Sequence, residues 1–174
     1  AALWRLPVLF CCENNLYAMG TSLRSSESQT DLTLKAASYE VPAWSADGMD
    51  PDRVAEAAGH ALATVRGGQG PVFLELKTYR FRAHSMFDPD LYRDPAEVER
   101  WKERDPIDSF GRRLVDEGVL DEAVIEALWE AAQAEIDDAV AYAEAADWEP
   151  VEDLTRHVTA ASPGLNTTGG GHAG

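Results

Sequence analysis

Basic residues, cysteines and long apolar runs are all scarce in this 174-residue sequence. Fifteen Lys and Arg stand against 31 Asp and Glu, giving a formal charge of −16. That balance opposes nucleic-acid binding, which needs a basic footprint, and adhesion to anionic membranes, so neither partner is expected. No apolar run approaches a membrane span, and no secretory signal is visible. The only two cysteines, Cys11 and Cys12, are adjacent. Neighbours on a strand point to opposite faces, so they are poorly placed to pair and read as buried, reduced thiols of a cytosolic protein. Nothing near them has metal-ligand spacing. No P-loop or glycine-rich dinucleotide motif occurs, which counts against an unrelated phosphate-binding α/β domain.

With 45% hydrophobic residues the chain can bury a real core. Leu6–Cys12 is an apolar run of the kind that forms a buried parallel strand. Asn14 and Asn15 follow it, where open α/β sheets place their ligands. Amide oxygens and turned carbonyls there are hard donors that suit Mg²⁺; the same pair also serves as a plain turn. Thr21–Gln29 reads as a loop. Thr30–Tyr39 predicts a short helix capped by Thr30 or Asp31. Val41–Ala46 predicts a strand entered through Pro42. Asp50-Pro51 opens a helix with Val54, Ala57, Ala58, Ala61, Leu62 and Val65 on one face, ended by Gly67, Gly68 and Gly70. His60 lies off that face and reads as a surface or boundary histidine.

Pro71–Leu76 is the next strand. The alternation argues for a parallel sheet flanked by helices, with the Asn pair and the residues after Leu76 facing one crevice. Lys77–Arg93 has no glycine and no helical period, and reads as a long loop at the ligand edge. Arg80 and Arg82 can hold phosphate or carboxylate. His84 can donate a hydrogen bond or move a proton near neutral pH. An ordinary solvated loop has the same composition. Asp94-Pro95 and Asp105-Pro106 repeat the helix-opening device, and Asp121–Ala145 predicts a long helix. These form a helical appendage without chemistry of its own. From Ser162 the Gly-rich tail has too little apolar content to fold, and His172 there reads as inert.

The pairing of ENNLYAMGTS with TYRFRAHSMFDPDLYR, one strand–helix–strand unit apart, resembles the α subunit of the thiamine diphosphate-dependent 2-oxo acid dehydrogenases, their E1 component. RDPIDSFGRRLVDEG is similar to the same family, so the resemblance runs from Ala1 to about Pro150. It implies a thiamine diphosphate-binding α/β fold, N-terminally incomplete, over residues 1–93 with the active-site loop. A helical segment of the same subunit would span 94–150, and a tail 151–174, disordered from 162. Asn15 resembles the side-chain ligand of Mg²⁺ and Tyr17 the residue giving its backbone carbonyl. Arg80 resembles the arginine near the cofactor phosphates. His84 resembles the loop histidine that contacts cofactor and helps with substrate. Ser85 matches a serine that some members phosphorylate, whereas Leu91 replaces a second one.

Ala1–Arg5 reads as the last turn of a helix already under way. The family's Gly-Asp-Gly half, with its Asp ligand, is expected upstream of it. On that expectation this stretch alone binds cofactor poorly and is inactive. The resemblance further implies decarboxylation of a 2-oxo acid and acyl transfer to the lipoyl domain of the E2 acyltransferase. The site would form only against a β subunit in an α2β2 assembly. Pyruvate is the favoured substrate, with acetoin or a branched-chain 2-oxo acid behind it, and a non-catalytic stretch that only packs with a β subunit is the alternative.

Overall fold

The computed structural model describes residues 1–156 and 158. The expected tail from Ser162 and His172 lie outside the described residues. Two compact units are present, Ala1–Ile125 and the residues from Glu126 on. The first holds a three-stranded parallel sheet in the order β1-β5-β4, made of β1 (Leu9–Asn14), β4 (Ala43–Asp47) and β5 (Val72–Lys77). Its register sets Asn14 beside Lys77 and Asp47 beside the same Lys77, so all three C-terminal strand ends lie on one edge.

Helices cover both faces of the sheet, because each strand carries apolar residues on alternate sides. α3 (Pro51–Arg66) buries Ala61 and Val65 against Val72, with Leu9 and Trp44 packed around them. Asp50 accepts from the backbone N–H groups of Asp52 and Arg53 and Pro51 sits in the first turn, so this helix begins where its sequence says it must. α2 (Leu32–Ala37), capped by Asp31, lies on the other face. There Leu32 and Ala36 share an apolar cavity of about 720 Å³ with Phe10, Cys12, Val41 and Phe73. Gly48 shows why the turn after β4 needs glycine: a Cβ there would sit 2.5 Å from Thr78 Cγ2 and 2.9 Å from the Lys77 carbonyl oxygen.

Several expectations shift. The first strand is Leu9–Asn14, so Asn14 ends the strand and only Asn15 lies past it. Among the described residues it is paired on one side alone, with β5. Cys11 is therefore exposed and Cys12 half-buried, and both are free thiols. The expected loop Thr21–Gln29 contains β3 (Thr21–Ser22) and α1 (Leu23–Ser26), and β3 pairs antiparallel with β2 (Tyr17–Ala18). Ala1–Arg5 is a turn in which Arg5 N–H donates to the Ala2 carbonyl. His60 is exposed and rests on Trp44, ring centroids 4.7 Å apart.

α4 (Pro95–Lys102) and α5 (Pro106–Asp116) start at Asp94-Pro95 and Asp105-Pro106, each Asp accepting from a backbone N–H of the first turn. α5 is tied to the start of α3 by Arg113, 2.5 Å from Asp52. α6 (Glu122–Ala145) has no buried residue. Among the described residues no helix is long and apolar enough to cross a membrane.

Candidate functional site

The site is built on the shared C-terminal edge of the sheet. Leaving β1, the chain turns sharply: Leu16 has φ 70° and Met19 φ 52°. Two asparagines hold this turn by accepting backbone N–H groups two residues on. Asn14 Oδ1 accepts from Leu16 at 3.1 Å, and Asn15 Oδ1 accepts from Tyr17 at 3.3 Å. The Thr78 N–H donates to the Asn14 carbonyl at 2.9 Å, so the turn and the loop after β5 leave the sheet side by side.

Tyr17 joins the turn to the rest of the edge through its side chain. Its hydroxyl donates to Glu97 of α4 at 3.0 Å. Its ring packs on Tyr79 and Tyr92, centroids 6.3 and 5.8 Å away. Burial, then the Glu97 carboxylate, push the Tyr17 hydroxyl up to about 12. Burial also raises Tyr79, whose ring stacks on Trp101 at 5.2 Å. A cavity of about 800 Å³ opens here, lined by Asn14, Tyr17, Glu75, Lys77, Glu97 and Trp101 among others.

The 77–93 loop is held from within by an arginine. Arg93 is buried, and its guanidinium is chelated by Asp90 at 2.6 and 2.7 Å. It donates to the carbonyls of Arg80 and Phe81 and lies over the rings of Tyr17, Tyr79 and Tyr92, 5.4–5.9 Å from their centroids. The hydrogen bond to Asp90, first among its causes, raises Arg93 further above its ordinary value, and the same bond holds Asp90 below the carboxylate range. A second clamp runs through Asp88, which accepts from Tyr92 Oη at 2.8 Å and from the His84 N–H at 3.1 Å.

Arg80 of this loop reaches the β2–β3 turn that follows Tyr17. It donates to the Met19 carbonyl at 3.2 Å and sits 3.2 Å from His84 Nδ1. A guanidinium can only donate, so Nδ1 is the acceptor and the neutral ring carries its proton on Nε2, with the imidazole exposed. Arg80, His84 and the Tyr17 hairpin are thus brought together. Asn15 stays within its own turn, and Asn15, Arg80 and His84 lie outside the lining of the 800 Å³ cavity. Arg82 and Ser85 are exposed.

Glu75, Glu97, Asp88, Asp90 and Arg93 were not evident as site residues from sequence. For Glu75 a signal existed: a carboxylate in the middle of the apolar run Val72–Leu76. For Arg93 it was the Asp90 three residues before it.

Which residues could hold a metal follows from donor chemistry. Among the described residues no three His, Cys, Asp or Glu side chains are grouped to bind one. Asn15 Oδ1 has one lone pair committed and one free, and the Tyr17 carbonyl follows it in the same turn. Both are hard, neutral oxygens of the kind Mg²⁺ takes alongside phosphate oxygens and water, so the residues fit that ion as part of its shell.

A helix-flanked parallel sheet with polar turns gathered at its C-terminal edge defines an open-sheet α/β protein, the class that places its ligands at that edge. The family model described as Dehydrogenase E1 component matches residues 1–152, and the chain belongs to that family. It is 48% identical over 119 residues to a pyruvate dehydrogenase E1 component subunit alpha of Rhizobium meliloti, covering 68% of this chain and 34% of that one. Against the subunit of the same name from Zymomonas mobilis it is 43% identical over 159 residues, 91% of this chain and 45% of the relative. The Rickettsia conorii subunit is 40% identical over 144 residues, 83% and 44% of the two chains. The chain therefore spans between a third and a half of the length of these curated relatives.

Proposed function

We propose that this chain is part of the α subunit of a pyruvate dehydrogenase E1 component, which decarboxylates pyruvate with thiamine diphosphate and Mg²⁺ and passes the acyl group to a lipoyl domain. The observation that carries this reading is the Arg80 bridge. One guanidinium spans the carbonyl of Met19, in the β2–β3 turn just after Tyr17, and the Nδ1 of His84. A cation-binding turn, an anion-binding arginine and a proton-carrying imidazole thus share one edge.

Asn15 Oδ1 and the Tyr17 carbonyl would hold Mg²⁺. Arg80 would meet the diphosphate, for which a planar guanidinium is the suitable partner. Thiamine diphosphate, when bound, supplies the electron sink for decarboxylation. His84 keeps its proton on Nε2, facing away from Arg80, where it can donate to a substrate or lipoyl group. A β subunit would complete the site in an α2β2 assembly. Two free, unpaired cysteines accord with a reducing cytoplasmic setting.

The test is turnover by the assembled E1 of the full reading frame with its β subunit, offered pyruvate, acetoin and a branched-chain 2-oxo acid in turn. Pyruvate is expected to give the highest kcat/KM. His84→Ala is expected to lower acyl transfer to the lipoyl domain while Mg²⁺ binding persists. Assembly without turnover on any of the three would leave the non-catalytic packing role, and unchanged transfer by the variant would remove His84 from the mechanism.

A further inference from the structure

Glu75 is a charged residue at the centre of the sheet and only 2% exposed. It sits on β5 beside Cys12 of β1, and Asn14 is diagonal to it on the same face. Its Oε1 accepts from Asn14 Nδ2 at 2.7 Å. No Lys, Arg or His forms an ion pair with it among the described residues. One neutral donor compensates little of the cost of burying a carboxylate. Packing alone would be better served by an apolar residue, as at Val72, Leu74 and Leu76 of the same strand.

The contact has a direction. Because Nδ2 of Asn14 is committed to the carboxylate, Oδ1 must face the other way, where it accepts from Leu16. Flipping the amide would set two oxygens against each other. Leu16 is the residue at φ 70°, between Asn15 and Tyr17. The carboxylate therefore dictates the amide, and the amide holds the turn that presents the two neutral oxygens. Glu75 also lines the 800 Å³ cavity at that edge together with Asn14 and Tyr17.

We propose that Glu75 is a positioning residue for a divalent cation at the Asn15–Tyr17 turn. Its buried carboxylate orients Asn14, and its negative charge offsets the cation that the neutral oxygens of Asn15 and Tyr17 receive. This rests on the metal-binding part of the function proposed above and adds to it an anion outside the ligand set. Groups that orient ligands from behind are worth about 10- to 100-fold in metal affinity.

The experiment compares wild-type assembled E1 with Glu75→Gln, which keeps size and an acceptor but removes the charge. Two quantities are read: the Mg²⁺ concentration needed for half-maximal thiamine diphosphate binding, and the melting temperature with and without Mg²⁺ and cofactor. The Mg²⁺ requirement is expected to rise about 10- to 100-fold, with kcat recovered at saturating Mg²⁺. The melting temperature is expected to hold or rise without ligands, because an uncompensated charge is gone, and to fall with them. Asn14→Ala, which keeps the charge and cuts the relay, is expected to raise the Mg²⁺ requirement as well. An unchanged requirement in Glu75→Gln overturns the proposal, as does a variant that melts lower in both states or fails to assemble, since each marks a merely structural role. If wild-type E1 binds cofactor without any Mg²⁺ dependence, the functional reading itself falls and this inference with it.

Discussion

Tyr17 shows how one residue serves two ends of the site. Its backbone belongs to the turn, while its hydroxyl is held 3.0 Å from Glu97 on α4. Tyr17→Phe keeps the ring contacts and the carbonyl and removes only that hydrogen bond. A bond to a charged acceptor contributes about 1.5–3 kcal/mol, and the half-buried position argues for the lower end. The pH dependence has a definite sign. The hydroxyl goes from 10.0 in the unfolded chain to about 12 in the fold, so the protonated form is the one folding favours. Its contribution is full below pH 10 and is lost as pH rises towards 12. Denaturant midpoints measured across that window should fall more steeply for the wild type than for Tyr17→Phe. Tyr79 and Tyr92 are raised too, so the variant should flatten the decline without abolishing it. Parallel curves would show that the fold does not raise the Tyr17 hydroxyl.

Elements whose signals are local could be read from the sequence, and those that depend on neighbours could not. Asp50-Pro51, Asp94-Pro95 and Asp105-Pro106 each open a helix because cap and first turn are adjacent in the chain. Val72–Lys77 is recognisable because it is paired on both sides, which matches an apolar run broken only by Glu75 before Lys77 ends it. Leu9–Asn14 has a similar composition but pairs on one side, so Phe10 is 44% exposed and Cys11 is open. In the site, Asn15, Arg80 and His84 stand in motifs, whereas Glu75 and Arg93 act through contacts that only the folded chain brings about. α6 is the opposite case: its periodicity is plain, yet Leu128 and Ile136 are each 59% exposed. That stripe, flanked by seven acidic residues and no basic one, suits a partner with a basic rim and disfavours a second copy of itself. Leu128→Gln with Ile136→Gln should weaken association with a β subunit in sedimentation or pull-down measurements while leaving far-UV helicity unchanged. Association at wild-type strength would assign the face to something else.

For the whole molecule the decisive quantities are charge and the number of metal donors. A chain of net charge −16 repels a diphosphate ligand at long range, so anion binding has to be won locally by cations. On the function proposed above, Arg80 would be one such cation and a bound Mg²⁺ the other. Mg²⁺ takes about six oxygens, of which, on that proposal, diphosphate would give two and Asn15 and Tyr17 two that are neutral. The relatives are two to three times as long as the matched stretch, and the remaining protein donors would come from residues beyond it. The 174-residue chain by itself should therefore show no saturable heat when titrated with thiamine diphosphate and Mg²⁺ under conditions where an assembled E1 saturates. Calorimetry on both preparations decides it. Tight, Mg²⁺-dependent binding to the chain alone would mean that its own residues complete the cation's shell. Glu75, the one buried carboxylate among the described residues, would then be the first candidate for a direct ligand instead of a group acting through Asn14.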